Sequence, residues 1–486
     1  MIYLSHWGPT PMRLDMFHFN LKRKEKMKKA ARVSSNFFFR KPRISFNVLL
    51  SGMSCGALLA ALGLTFSSAQ VIAATVERVS VASDGSQATE GYFQQKAVSP
   101  DGRYVVFAAL GLPPGGVYNN VYLRDRVTNT TELVSIANDG TPRNINQPIG
   151  PVGVSADGRY VTFTARWQDG RASAMDVYVR DRATNTTELI SSPGEVNKSS
   201  RHPSISDNGR YVAFSSNATN MVSGDTNGFS DIFVRDRVAG TTERVSIASD
   251  GTEASGDSDY NGSFETSISG DGRYVAFVSK ANNLVPNDTN GVADLFLHDR
   301  TTGMTKRVNV ANDGSQDSSA DTGFYGIKLS GDGRYLVFQS GDQLSSEDTN
   351  DFLDIYVYDQ VHDSVELISK AYDGSPANSI SIYSSISSNG RYVSFISTAS
   401  NIVEGGIPQS VGAFIYDRVT QTTEMVDVPN DGVSVADHIS FGHTGLSGDG
   451  RYVLFSSAAS NLVTGVPDTN NSWDVFVSDR FGGICP

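Results

Sequence analysis

Residues 267–279 read SISGDGRYVAFVS, and the same unit continues as ADLFLHDR at 293–300 and TKRVNVANDG at 305–314. Asp271-Gly272 supplies the positive φ that a tight hairpin needs, so SIS and RYVAFVS are adjacent antiparallel strands. In the preceding copy the third run, DIFVRDR, alternates Ile232 and Val234 against Phe233 and Arg235. The Val-Ala-Gly-Thr at 238–241 turns that run into a fourth, where Val245 and Ile247 share a face. One unit therefore holds four short antiparallel strands, A to D. Its Gly-Arg-Tyr triplet recurs seven times, with tyrosines at 104, 160, 211, 274, 335, 392 and 452. The unit length is roughly 57 residues, in the range of propeller and solenoid repeats.

An apolar share of 39% with 46 glycines suits many short strands joined by polar turns better than long helices. A four-stranded sheet cannot bury its faces alone, so repeated sheets stack radially as blades. The chain ends decide between a ring and an open stack. The last copy stops after strand C at VFVSDR, while TVERVSVASDG at 75–85 is an orphan fourth strand that matches TTERVSIASDG at 241–251. The expectation is an all-β, seven-bladed β-propeller of four-stranded antiparallel blades. Its N-terminal strand, around residues 75–82 with Val79 and Val81 facing inward, closes the ring on the last blade. Residues 75–486 form that propeller, and residues 1–74 form a leader.

The pattern S-x-D-G-R-Y-V-x-F followed by D-I-F-V-R-D-R resembles the propeller repeat of the TolB family and, more distantly, the WD-repeat family. The resemblance spans essentially all of residues 75–486. It implies a periplasmic or extracellular propeller used mainly for protein binding; the same repeat also accompanies peptidases. Two features depart from the family. The first strand begins near Thr75, which leaves no room for an α/β domain before it, and the stretch between strands B and C is long. A Tol–Pal role and a peptidase role are therefore not expected.

The leader has its own chemistry. Lys22 to Arg43 is strongly basic, and Ile44 to Val76 carries no charge, with an apolar centre from Val48 to Phe66. This is the order of a secretory signal, with small residues at Ala69, Ala73 and Ala74 for cleavage. Export is expected over a retained anchor because Ser51, Ser54, Ser67 and Ser68 interrupt a short apolar run. Cys55 fits a lipoprotein site poorly, since most of the apolar run follows it. Removing residues 1–73 shifts the net charge from −12 to −21, a balance that opposes nucleic acid and anionic membrane. Only Cys485 remains after cleavage, so an intrachain disulfide is not expected.

In such blades the A–B and C–D turns share one face of the ring, and the B–C and D–A connections share the other. Here the first set is short and nearly identical between copies. The second set, for example SNATNMVSGDTNGFS at 216–230, is long and varied. A rigid scaffold with its variable loops on one face is the arrangement of a binding surface. Aromatic and histidine side chains there are the expected contacts: Trp167, Phe229, Tyr260, Phe264, Tyr325, Phe352, His438, His443 and Trp473. Packing between blades is the competing use for them.

Four B–C loops share D-T-N-x-x-x-D: Asp225, Asn227 and Asp231; Asp288, Asn290 and Asp294; Asp348, Asn350 and Asp354; Asp468, Asn470 and Asp474. Alternating carboxylate and amide oxygens can collect Ca²⁺, or can cap their own backbone as Asx-turns. No cofactor is required on this reading, and Ca²⁺ is the candidate ion. No G-x-S-x-G, H-E-x-x-H or phosphate-binding glycine loop occurs. The S-x-D-G turns resemble the Asp-box of sialidases without its Thr-Trp. His438 and His443 beside Asp437 are the one cluster suited to acid/base or metal chemistry. The repeated Asp-Arg ending strand C, such as Asp181-Arg182, is expected as a hairpin charge pair. The sequence thus points to an exported, monomeric, non-enzymatic propeller that binds a protein or peptide of the envelope; a polysaccharide lyase or glycosidase is the alternative.

Overall fold

The computed structural model describes residues 74–113, 119–142, 150–166, 175–191, 198–258, 265–318, 326–406, 411–432 and 436–482, with the backbone alone at 90–95. The leader, Cys55 and Cys485 lie outside these residues. Within them, seven sheets of four antiparallel strands form, each in the order A-B-C-D. Blades one to six take their strands consecutively from the chain, from Glu90–Val98 through Thr422–Met425. The seventh combines Gly445–Leu446, Tyr452–Ser457 and Asp474–Asp479 with the N-terminal strand Thr75–Arg78. Thr75 pairs with Asp479 and Arg78 with Phe476, so the ring closes as expected. The strand is shorter than the sequence suggests. It buries Val76 and Val79, whereas Val81 is half-buried and makes a single bridge to Gln87. None of the described residues forms a helix long and apolar enough to cross a membrane.

The core lies between blades. The fourth residue of each strand B opposes an aromatic on strand C, as Phe214 opposes Phe233 and Phe277 opposes Phe296. All seven such pairs have ring centroids 5.7–6.0 Å apart. Burial of each side chain stabilises by roughly 2–3 kcal/mol, and ring-to-ring contact adds about 0.5–1.5 kcal/mol per pair.

A belt at the short-turn edge joins the blades. In the fourth A–B turn the Ser269 hydroxyl donates to Asp271 at 2.6 Å and accepts the Tyr274 N–H at 2.9 Å, while the Arg273 N–H donates to Asp271 at 2.9 Å. Gly272 then sits at φ +78°, and a Cβ there would lie 2.2 Å from the Tyr211 ring of the previous blade. The same Gly-on-Tyr contact recurs at all seven junctions, including Gly102 on Tyr452 across the closure. Arg210 stacks on its own Tyr211 and holds Asp236 bidentately, at 2.9 and 2.6 Å. Arg300 of the next blade covers the other side of Tyr211 and pairs with Glu243. The Asp-Arg dipeptide is therefore not a hairpin pair: its Asp binds the arginine of its own Gly-Arg-Tyr, and its Arg bridges back to the previous blade. Blade five alone has Gln360 in this Arg position; it keeps the bond that the arginines make to the turn-glycine carbonyl, here Gly333, but carries no charge to pair with the previous blade.

Candidate functional site

The A strands line the axis, and they are where the repeat breaks. Counting back from the turn serine, the four preceding positions read Gln95-Lys96-Ala97-Val98 in the first blade and His443-Thr444-Gly445-Leu446 in the seventh. The third blade has His202-Pro203-Ser204-Ile205 and the fifth Gly326-Ile327-Lys328-Leu329. Pairing between A and B slips between Gly91 and Lys96, between Arg201 and Ser204, and between Ile382 and Ser385. His202 and Tyr383 occupy two of these bulges with φ of +52° and +59°. Bulges re-aim side chains at the expense of regular pairing, and here they do so at the axis.

The result is an axial cavity of about 100 Å³, lined by Lys96, Glu265, Lys328, Ser384, His443 and backbone of the A strands. A second cavity of about 90 Å³ adjoins it and shares Glu265 and Lys328. Backbone hydrogen bonds between neighbouring A–B turns narrow the short-turn end: Ala156 N–H to Asp207, Asp207 to Gly270, Gly270 to Gly331, Gly331 to Ser388, and Gly448 to Pro100. A Cβ on Gly270 would lie 2.3 Å from the Asp207 carboxylate, so this ring accepts little beyond small residues.

The electrostatics of the cavity are unusual. Lys96 is buried, and burial pushes its ammonium down to about 7. The Lys328 side chain is exposed to the cavity yet has protein on all sides, and desolvation lowers it although Glu265 and Asp207 oppose the shift. Its ammonium makes no hydrogen bond or ion pair among the described residues. His443 Nδ1 lies 3.4 Å from Glu265 Oε1; desolvation keeps the ring largely neutral, with Lys96 and Lys328 acting in the same direction. Asp207, near the closed end, is raised by burial.

Of the side chains singled out from sequence, Trp167, Tyr260, Phe264 and Tyr325 lie outside the described residues. Phe229 and Phe352 stand at 37% and 36% exposure at the tips of B–C loops. Their backbone N–H groups donate to Asn227 and Asn350 two residues earlier. Trp473 is half-buried at the entry to strand C. The histidine cluster separates: His443 reaches the cavity, where its ring lies 4.7 Å from that of Tyr383 at a 50° tilt, while His438 is exposed. Asp437 serves the loop, accepting from the Ser460 backbone at 2.7 Å. Lys96, Glu265 and Lys328 were not singled out from sequence. Their signal was present, since Lys328 fills a position that the other blades give to Ala, Gly or Ser.

Each D-T-N loop folds on itself. The Asn227 amide donates to Asp231 at 3.0 Å and to the Ala254 carbonyl at 3.2 Å, tying the B–C loop to the D–A connection. The positive charge beside the carboxylates is a guanidinium. Arg244 lies 3.4 Å from both Asp225 and Asp231. Arg307 lies 3.2 Å from Asp288 and 3.5 Å from Asp294, and Arg78 is 3.0 Å from Asp474. The Asn470 amide likewise donates to the Ala88 carbonyl at 2.8 Å, and its backbone N–H donates to the Asp468 carboxylate at 3.1 Å. These arginines hold the fourth position of strand D, which is Leu or Met in the blades that lack the motif. Blade five departs from the rule: Leu367 stands there, the Tyr356 hydroxyl donates to Asp348, and burial pushes Asp354 up to about 7. Among the described residues no group of three or more His, Cys, Asp or Glu is arranged to hold a metal ion.

The geometry thus defines a closed seven-bladed propeller with a small charged cavity on its axis. No family model matches the chain, and no curated protein matches it. Solved structures do. TolB from Acinetobacter baumannii is 16% identical, with 78% of this chain and 80% of that chain covered and a TM-score of 0.38. Oligogalacturonate lyase from Vibrio parahaemolyticus is 13% identical over 84% of this chain and 97% of that one, with a TM-score of 0.46. The β-propeller domain of the trilobed protease from Pyrococcus furiosus is 11% identical over 81% and 98%, with a TM-score of 0.48. Likeness at these identities is a likeness of fold.

Proposed function

We propose that the chain is an exported, non-enzymatic propeller that binds a protein or peptide of the cell envelope through its loop-rich face, with the axial cavity as an anchoring point. The observation that carries this reading is the size and wall chemistry of the cavity. About 100 Å³ admits one side-chain-sized group, against roughly 300–1,000 Å³ for clefts that enclose whole small molecules. Glycoside cleavage uses two carboxylates about 5–10 Å apart, and Glu265 is the single carboxylate among the described cavity-lining residues. Exposed Phe229, Phe352 and Tyr372, the last at 62% exposure, supply rigid apolar contacts on the loops. Export is supported by the basic and then uncharged order of the leader.

A lyase is the second reading, favoured by one observation: the 3.4 Å contact of His443 with Glu265 in a cavity that also holds a lysine lowered to about 7, which is acid/base equipment. One experiment separates the two. Protein recovered from the envelope should begin between Gln70 and Thr75, and it should capture a partner that the triple variant Phe229→Ala, Phe352→Ala, Tyr372→Ala loses. Thr184→Ala and Thr302→Ala, on the opposite face, should leave capture intact. Equal capture by both sets sinks the face assignment. Cleavage of oligogalacturonate that His443→Ala abolishes hands the protein to the second reading.

A further inference from the structure

Residues 75–486 contain six lysines, at 96, 198, 280, 306, 328 and 370, and two of the six line the axial cavity. Neither is demanded by the repeat. Lys96 stands where the other blades carry Val152, Pro203, Thr266, Ile327, Ser384 and Thr444, and Lys328 where they carry Ala97, Gly153, Ser204, Ser267, Ser385 and Gly445. In the belt, basic side chains answer acidic ones: seven Gly-Arg-Tyr arginines hold seven strand C aspartates. The cavity wall brings both lysines together with one carboxylate. Its one lining carboxylate, Glu265, faces His443, and Lys328 has no ionic partner among the described residues. Asp207, beyond the lining toward the short-turn end, is raised by burial while Lys328 acts to lower it. A chain with a net charge of −12 thus sets two of its few lysines against a single lining carboxylate at one cavity wall, where partial desolvation strengthens attraction for an anion.

We propose that the axial cavity is a carboxylate site that receives one carboxylate of an acidic peptide, held between Lys96 and Lys328; this rests on the peptide-binding reading above. The size of the cavity sets the choice of ligand. About 100 Å³ is on the order of three water volumes, enough for the end of an acidic side chain and too little for consecutive sugar rings. The depressed lysines agree with this assignment, because an entering anion restores the charge that burial disfavours. A peptide carboxylate should therefore bind with net proton uptake near neutral pH, the proton going to Lys96. Glu265, His443 and Lys328 are the other titratable groups on the cavity wall.

Titration calorimetry of the propeller tests this with four probes: the doubly capped peptide Gly-Gly-Glu-Gly-Gly, its Gln counterpart, a pentaglycine with a free C-terminal carboxylate, and trigalacturonate. The Glu peptide should bind at least about tenfold more tightly than the Gln peptide, and in buffers of different ionisation heat it should show proton uptake. Tighter binding of the free-terminus peptide would place a chain end in the site. Lys328→Gln should bring the Glu peptide to the level of the Gln peptide, and Lys328→Arg should retain binding. Lys328 is open to the cavity, so these variants are expected to fold; an unchanged melting temperature confirms it. Equal binding of Glu and Gln peptides, no binding of either carboxylate peptide, or indifference to Lys328→Gln overturns the proposal. Preference for trigalacturonate over both peptides overturns it in favour of an acidic sugar. Should a carboxylate peptide bind while the aromatic variants leave partner capture unchanged, the cavity stands and the loop-face reading falls.

Discussion

The belt and the axis of this ring are built from the same seven repeats with opposite outcomes. At the belt every blade makes the same contacts: a glycine under the neighbouring tyrosine and an aspartate clamped by the Gly-Arg-Tyr arginine. At the axis the blades share almost nothing, and the A strands present Lys96, His202, Glu265, Lys328, Tyr383 and His443 in turn. Because blade-to-blade adhesion is concentrated at the outer edge and in the interblade aromatic core, the inner strands are released from holding the ring together. That freedom allows bulges and buried charge there, features that would be costly in a strand that had to carry packing.

The comparison is broken most severely by opening the ring. Deleting residues 75–83 removes Val76 and Val79, at 3% and 0% exposure, worth roughly 1.5–3 kcal/mol each. It also strips Asp474 of its Arg78 partner at 3.0 Å, and orphaning a buried charge costs about 3–5 kcal/mol. The exposed strand Asp474–Asp479 becomes an edge prone to aggregation. The expected result in calorimetry is a melting temperature lower by about 10 °C, or insoluble protein. An unchanged melting temperature contradicts closure through this strand.

A smaller break separates belt glycines from loop glycines. Gly272 and Gly314 both have positive φ, +78° and +87°, but an added Cβ meets the Tyr211 ring at 2.2 Å in the first case and nothing within 4 Å in the second. Gly314→Ala should cost about 1 kcal/mol, the conformational penalty alone. Gly272→Ala should cost about 2–4 kcal/mol, since the ring must also shift in a packed interface. Equal losses in urea denaturation would mean that the Gly-on-Tyr contact contributes nothing.

These two classes of contact also explain what the sequence made legible. Blade count, strand order and closure were readable because belt residues recur in fixed register, so that an orphan TVERVSVASDG could be matched to its missing place. The partners of the Asp-Arg dipeptide were not. The Asp finds the Gly-Arg-Tyr arginine of its own blade, Arg273 for Asp299, and the Arg reaches one blade away, to Glu243 for Arg300, separations that no local pattern reports. The strand D arginine is an intermediate case: Arg244, Arg307 and Arg78 accompany three of the four D-T-N loops. Comparing copies position by position would have found this pairing, whereas each loop read alone left both an Asx-turn and Ca²⁺ open. The cavity lysines were hidden for a related reason. A charged residue in a short strand looks like a solvated face until the ring places all seven A strands around one axis.

The finest test uses pH, because aspartates of the belt and of the D-T-N loops are shifted in opposite directions. In the belt, hydrogen bonds from Arg210 hold Asp236 down at about 2, below its value near 3.9 in an unfolded chain. The stabilisation it provides is present above pH 4 and is lost as pH falls through about 2. Beside the D-T-N loop of blade five, burial without a guanidinium pushes Asp354 up to about 7. The folded state then holds a proton that the unfolded chain releases near pH 4, so stability declines as pH rises from about 4 to about 7. Asp354→Asn should therefore gain about 1 kcal/mol at pH 8 and nothing at pH 4, once relaxation of the site is allowed for. Asp236→Asn should lose about 1 kcal/mol at pH 7, a modest figure because its partner Arg210 is 41% exposed and screened by solvent. Denaturant titrations across this pH range that gave both variants the same sign at neutral pH would erase the electrostatic distinction between belt and D-T-N loops.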